Sequence, residues 1–255
     1  MVKSKKSKII YSLVIPVLNE SNNIYKLINE ISESLKVMSS YEIIIVDDGS
    51  TDNTSLIVSK AMRDLSNINL VFIEHKKSYG QSAGLLTGIK AANGSIIITL
   101  DGDGQNDPSD ILKMLSFKKN IEYSDLIIGN RINRNDVLSK RVASRIAFFI
   151  RKIILRDNTP DTGCGLKIFN KNFFLELPYF NHIHRFFPFL FKMYGGKVFS
   201  IEVNHRARDQ GVSNYSNFQR FRVGLLDIFG VKWLVSRSPF PINIKNNNIK
   251  NNKKR

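Results

Sequence analysis

Cysteine is almost absent: Cys164 stands alone among 255 residues. That excludes an intramolecular disulfide and any multi-cysteine metal site, and it fits a reducing compartment. Long apolar runs are missing as well. No stretch approaches the roughly 20 consecutive apolar residues of a membrane-spanning helix, and the start, MVKSKKSK, lacks the apolar core of a secretory signal. The chain is therefore expected to be cytoplasmic and not to cross a bilayer by itself. Acidic residues are outnumbered, 22 Asp and Glu against 38 Lys and Arg, for a formal net charge of +16. Such an excess draws polyanions: nucleic acid, anionic lipid or phosphorylated substrates. No nucleic-acid-binding motif accompanies it, and carboxylates at strand ends would repel a nucleic-acid backbone, so nucleic acid is not the expected partner.

What is present is a globular composition, with 42% apolar residues. No internal repeat and no linker divides it. A single domain is expected over 9–236, between a basic tail (1–8) and an Asn/Lys-rich tail (237–255). In the first half, strand-like runs at 9–17, 41–47, 69–74, 95–101 and 125–129 alternate with helical patterns near 22–37, 53–65, 80–92 and 109–118. This alternation predicts an α/β fold with a mostly parallel sheet flanked by helices. In open sheets of this kind ligands bind beyond the carboxyl ends of the strands. Three polar, carboxylate-bearing loops follow strands there: PVLNES, DDGSTDNT and DGDGQNDP.

In LDGDGQNDP (100–108), Asp101 and Asp103 are spaced so that both side chains can reach one cation, with glycines allowing a close backbone turn. Hard divalent cations take such oxygen ligands and bridge substrate phosphates. The alternative is a polar turn held by its own Asp side chains. Asp107 before Pro108 reads as the start of the next helix. In VDDGSTDNT, Asp52 reads as a helix cap, while Asp48 could accept hydrogen bonds from a base or ribose.

IPVLNE, VDDGSTDNT, a GxSxG-containing helix region and DGDGQNDP, in this order and at these separations, resemble the family 2 glycosyltransferases of GT-A fold. They look most like the polyprenyl-phosphate branch, typified by dolichol-phosphate mannosyltransferase and its bacterial relatives. The likeness runs through DTGCGLKIF, HRFFPFLF and VNHRARDQGVSNY to GLLDIFGVKWL, covering roughly residues 10–235. It implies a GT-A-type, Rossmann-like sheet with C-terminal amphipathic interface helices. It also implies transfer of a sugar from GDP-mannose or a UDP-sugar to dolichyl or undecaprenyl phosphate. The donor site would then comprise Pro16, Leu18, Glu20, Val46, Asp48, Asp101, Gly102, Asp103, Arg131, Arg208 and Asn214. Asp101, Asp103 and Gln105 would be the ligands of Mg2+ or Mn2+. Two positions depart from the family pattern: Leu18 stands where tyrosine is frequent, and Asn214 where lysine is frequent. An amide carries no charge with which to neutralise a diphosphate.

The resemblance makes Asp103 the catalytic candidate at the donor and Asp161, in PDTGCG, the candidate base for an acceptor hydroxyl; the other reading of Asp161 is a turn-forming residue. A lipid-phosphate acceptor, already ionised near neutral pH, needs no strong base. In the second half (131–236), the pattern at 138–155 predicts a helix with Lys140, Arg141, Ser144 and Arg145 beside Ile146, Phe149, Ile150 and Ile153. That pairing suits an acceptor phosphate and its apolar chain, or equally a core helix with a wet basic face. A second amphipathic helix, about 217–235, carries Phe218, Phe221, Leu225, Phe229 and Trp233, which suit a core, a membrane interface or a docking face. The resulting expectation is a peripheral enzyme on the cytoplasmic face of a membrane, with a separate transmembrane protein as a further partner. The competing enzyme reading keeps the donor half and uses a hydroxyl acceptor in cell-envelope glycan synthesis. HIHRFFPFLF reads as packed rather than metal-binding, and Cys164 as packing rather than a nucleophile.

Overall fold

The computed structural model describes residues 9–38, 40–132, 138–206 and 217–238. The strands are β1 (Tyr11–Val17), β2 (Tyr41–Asp47), β3 (Leu70–Glu74), β4 (Ile96–Thr99), β5 (Asp125–Arg131), β6 (Lys167–Asn170) and β7 (Lys197–Val203). Helices α1 (Ile24–Ser34), α2 (Thr54–Asp64), α3 (Gln81–Ala91) and α4 (Asp110–Phe117) connect the first five strands in turn. They are followed by α5 (Leu138–Leu155), α6 (Lys171–Glu176), α7 (Phe187–Met193) and α8 (Asn217–Arg237).

The seven strands form one sheet in the order β3-β2-β1-β4-β6-β5-β7. β6 alone runs against its neighbours, pairing antiparallel with both β4 and β5; the remaining pairings are parallel. Apolar alternation along β1 explains the layering. Leu13, Ile15 and Val17 point into a core shared with α1, α2 and α4, whereas Val14 points into the opposite core with α3 and α7. A sheet covered on both faces needs nearly continuous apolar strands, and β2 supplies one in Ile43–Val46. In α1 the buried residues Ile24, Leu27, Ile28 and Ile31 recur at helical spacing, so one stripe meets the sheet.

The second core is aromatic. Phe169 of β6, Phe173 and Phe174 of α6, and Phe187 and Phe191 of α7 pack ring to ring, Phe173 and Phe191 with centroids 4.9 Å apart. The aromatic segment is thus internal packing. Its histidines are engaged in protein contacts: His184 Nδ1 lies 2.8 Å from Ser82 Oγ, and His182 Nδ1 lies 2.9 Å from Asp227 Oδ2 on α8. α8 also buries Ile228 and Val231. Phe229 and Trp233 are 59% and 63% exposed, which removes the core reading for those two rings. Among the described residues, no helix is long and apolar enough to cross a membrane.

α3 lies close on β1 because Gly88 faces Val14: a Cβ at Gly88 would fall 2.5 Å from Val14 Cγ1. Gly88→Val should overfill this seam and lower stability by about 2 kcal/mol, read as a lower urea midpoint. Val14→Ala in the same chain should recover part of the loss; no change in midpoint would contradict the close-packed seam.

Candidate functional site

Because β6 is antiparallel, its beginning lies beside the carboxyl end of β4: Thr99 pairs with Lys167, and Thr99 Oγ1 donates to the Gly165 carbonyl at 2.6 Å. The loop 161–165 is thereby laid against the turn that follows β4. Asp101 is half-buried there. Its backbone N–H donates to Asn106 Oδ1 at 3.0 Å, and Gln81 Nε2, in the first turn of α3, donates to Asp101 Oδ1 at 2.8 Å. Gly165 passes directly under the carboxylate, since a Cβ on Gly165 would lie 2.3 Å from Asp101 Cγ. Burial first, and then the charge of Asp103, push the Asp101 carboxyl up to about 6, while Lys167 and Arg131 pull it down. Two carboxylates crowded at a strand end are the electrostatic setting that a divalent cation relieves, so Asp101 and Asp103 fit one. Asp103 Oδ1 accepts from Gln105 N–H at 3.1 Å. Asp103 also lines a cleft with Asn23, Glu30, Gly104 and Arg206.

Gln105 is drawn into the fold as well. Its carbonyl accepts from Arg206 N–H at 3.0 Å and its side-chain Nε2 donates to the Arg206 carbonyl at 3.3 Å, so Oε1 is the side-chain atom that could face a cation. Asp107 serves the turn before α4, accepting from Ser109 N–H at 3.0 Å and from Ser109 Oγ at 2.7 Å. Arg206 reaches Asp107 at 3.0 Å and Glu30 at 2.6 Å, so this guanidinium clamps α1 to the turn.

Arg131, at the end of β5, forms a forked pair with Asp161. Its Nε donates to Oδ2 at 2.6 Å and its Nη2 to Oδ1 at 2.9 Å. Although burial alone would lower it, the carboxylate pairing raises the Arg131 pKa further above its ordinary value. Lys167 is buried nearby, donates to the Cys164 carbonyl, and lies 5.6 Å over the Phe187 ring. Burial lowers its pKa. Burial likewise pushes the Cys164 thiol up to about 11, which suits a packing role.

In the other expected subsite, Pro16 and Val46 are buried in the sheet, Gly102 is buried in the turn, and Leu18 is half-buried after β1. Glu20 is buried; its Oε2 accepts from Asn23 Nδ2 at 2.6 Å and its N–H donates to Thr54 Oγ1 at 2.9 Å. Asp52 accepts from the N–H groups of Thr54 at 2.9 Å and Ser21 at 3.2 Å, joining the loop after β1 to the start of α2. Asp48 is occupied by the loop after β3. It accepts from Ser78 Oγ at 2.7 Å, Tyr79 N–H at 2.9 Å and Gly80 N–H at 2.7 Å, and lies 2.7 Å from His75 Nδ1. Burial alone would raise its pKa; these bonds outweigh burial and hold it below the ordinary carboxylate range. Asp48 therefore builds the wall of this subsite. His75 and Ser78 had no motif to mark them, because their partner lies 27 and 30 residues away.

Of the residues expected to hold the acceptor phosphate, Lys140, Arg141 and Ser144 fall on the first two turns of α5, where the backbone alone is described, and Arg145 is exposed. Arg208 and Asn214 lie outside the described residues. The site thus brings Asp101, Asp103, Gln105, Arg131 and Asp161 to one sheet edge, with Gly165 and Lys167 as the unanticipated members.

The architecture is that of GT-A glycosyltransferases. Residues 12–177 match the model of Glycosyl transferase family 2, and the chain belongs to that family. It is 33% identical over 228 residues to a dodecaprenyl-phosphate galacturonate synthase of Rhizobium johnstonii, covering 88% of this chain and 67% of that one. It is 31% identical over 206 residues to an undecaprenyl-phosphate 4-deoxy-4-formamido-L-arabinose transferase of Yersinia pestis, covering 80% and 62%. The chain thus spans about two thirds of the length of these relatives. Among solved structures, glucosyl-3-phosphoglycerate synthase from Mycobacterium tuberculosis with UDP superposes with TM-score 0.67 at 16% identity, over 89% of this chain and 82% of that one. A mannosyltransferase from Pyrobaculum calidifontis with GDP-Man and Mn2+ gives TM-score 0.67 at 17% identity, over 91% and 65%.

Gly165→Ala should force Asp101 out of its place. Nucleotide binding in the presence of Mn2+, measured by calorimetry with UDP and GDP, should weaken roughly tenfold or more with the fold retained. Unchanged affinity would show that the cradle does not set the position of Asp101.

Proposed function

We propose that this protein transfers a sugar from a nucleotide sugar, GDP-mannose or a UDP-sugar, to a polyprenyl phosphate, dolichyl or undecaprenyl, with inversion at the anomeric carbon. The observation that carries the reading is the convergence of Asp101 and Asp103 with Arg131 at the sheet edge that α5 follows. The two polyprenyl-phosphate enzymes among its relatives support the acceptor class.

Asp101 and Asp103, with Gln105 Oε1, would hold Mg2+ or Mn2+. When bound, such a cation supplies charge stabilisation for the diphosphate leaving group. The half-buried Arg131, neutralised by Asp161, adds a fixed guanidinium dipole on the same edge. A phosphate oxygen of the acceptor attacks the anomeric carbon as the bond to the nucleoside diphosphate breaks, and the electron pair leaves with the diphosphate. The acceptor oxygen is already anionic, so no proton has to be removed. The pairing of Asp161 supports this acceptor over a hydroxyl, because both of its oxygens are bound to Arg131 and its carboxylate is held as a counter-ion.

α5 and α8 pack against each other and expose apolar residues at matching helical spacing. These are Ile146, Phe149 and Ile153 on α5, and Leu226, Phe229 and Trp233 on α8. Together with the exposed Arg145 and Lys152, they suit the surface of an anionic membrane, where the acceptor resides. A separate transmembrane protein is a further partner for the same face.

Transfer from a panel of UDP- and GDP-sugars to both lipid phosphates should be detected by mass spectrometry. EDTA or Asp103→Ala should lower it by roughly 100-fold or more. Metal-independent transfer would contradict the roles of Asp101 and Asp103, and transfer confined to hydroxyl acceptors would favour the cell-envelope glycan reading. In a flotation assay with anionic liposomes at low salt, Phe229→Asp with Trp233→Asp should release the protein; equal binding by wild type and variant would remove α8 from the membrane contact.

A further inference from the structure

At the far end of α5 from its basic turns, Arg151 reaches back into the protein. Its side chain is 11% exposed, and that of Asp157, 3.1 Å away from Nε, is fully buried. The guanidinium also forks onto the following loop, donating through Nη1 to Thr162 Oγ1 at 2.7 Å and through Nη2 to the Thr159 carbonyl at 2.5 Å. Asp157 in turn accepts from Thr159 N–H at 3.1 Å and Thr159 Oγ1 at 2.7 Å. Lys192 of α7 approaches Asp157 Oδ1 at 3.2 Å and Thr159 Oγ1 at 3.1 Å. Between helix and loop the backbone reverses at Arg156, which holds a left-handed φ of 55°. The loop fixed in this way is the one that carries Asp161, bound to Arg131, and Gly165, on which the Asp101 carboxylate rests.

We propose that Arg151 is a positioning residue for the acceptor. By holding α5 to the 157–165 loop, it fixes the acceptor helix relative to the carboxylates at the donor diphosphate. The inference rests on α5 as the acceptor helix. Its geometry uses the planar fork of arginine: a lysine could neutralise Asp157, but its single nitrogen cannot reproduce bonds made by two separate atoms, Nη1 to Thr162 and Nη2 to the Thr159 carbonyl.

Arg151→Lys separates this role from simple burial of charge, and Thr162→Val removes one leg of the fork while keeping both the Arg151 and Asp157 charges. In the full chain, both variants should raise the KM for polyprenyl phosphate, Arg151→Lys by about tenfold, and by clearly more than they weaken nucleotide binding, because Gly165 on the same loop also seats Asp101. Hydrogen exchange should speed up in 157–165 and α5 but not in β1 and β2. Wild-type acceptor KM and wild-type exchange in both variants would overturn the proposal. So would a loss of nucleotide affinity as large as the rise in acceptor KM, which would mark a general structural staple. Should the wild-type protein fail to use either lipid phosphate, the functional reading falls by itself. Exchange then still decides whether Arg151 clamps α5 to the loop: faster exchange confined to 157–165 and α5 supports the clamp, and unchanged exchange overturns it.

Discussion

The carboxylate of Asp101 is held in a space that only a glycine leaves open. It stands at the end of β4, tied through Gln81 to the start of α3, and rests on Gly165 so closely that a methyl group there would overlap it. Burial and the neighbouring Asp103 make its negative charge costly. Lys167 and Arg131 provide partial compensation without forming a direct pair, since Arg131 is committed to Asp161. The charge is therefore held in place and incompletely neutralised, which is the state in which a carboxylate binds a cation strongly.

This constraint follows from the direction of one short strand. Were β6 parallel to β4, its beginning would lie at the opposite edge of the sheet, and 161–165 could not reach the DGDG turn. Its antiparallel course places Gly165, Asp161 and Lys167 against the ends of β4 and β5. The aromatic core of Phe169, Phe173, Phe187 and Phe191 secures that course from behind. Packing far from the chemistry thus determines where the charged groups stand. The clamp of Arg206 between Glu30 and Asp107 does the same for the outer side of the turn.

Much of this was legible in the residues and some was not, for physical reasons. β1 to β5 and the helices between them follow from apolar runs alternating with helical spacing, and α5 occupies the 138–155 span that its pattern predicts. β6 was hidden because it has four residues and begins with a buried lysine, within a segment that reads as a glycine-rich loop. α7 was hidden because its first five residues are all buried, leaving no polar stripe to reveal a helical period. Asp48 was visible as a strand-end carboxylate, but its occupancy was not: two of its donors are backbone amides, which have no side-chain signature. The glycines around Cys164 were visible too, yet only the fold shows that Gly165 makes room for Asp101.

The central claim is that the Asp101 and Asp103 carboxylates, positioned by the 161–165 loop, form the single divalent-cation site at the donor diphosphate. Anomalous diffraction at the manganese edge, from crystals grown with Mn2+ and a nucleoside diphosphate, tests it most directly. The account predicts one peak between these two carboxylates and the diphosphate, with Asp161 still bound to Arg131. A peak ligated by Asp48 or Asp161, or an ordered diphosphate with no metal beside Asp101 and Asp103, would contradict it.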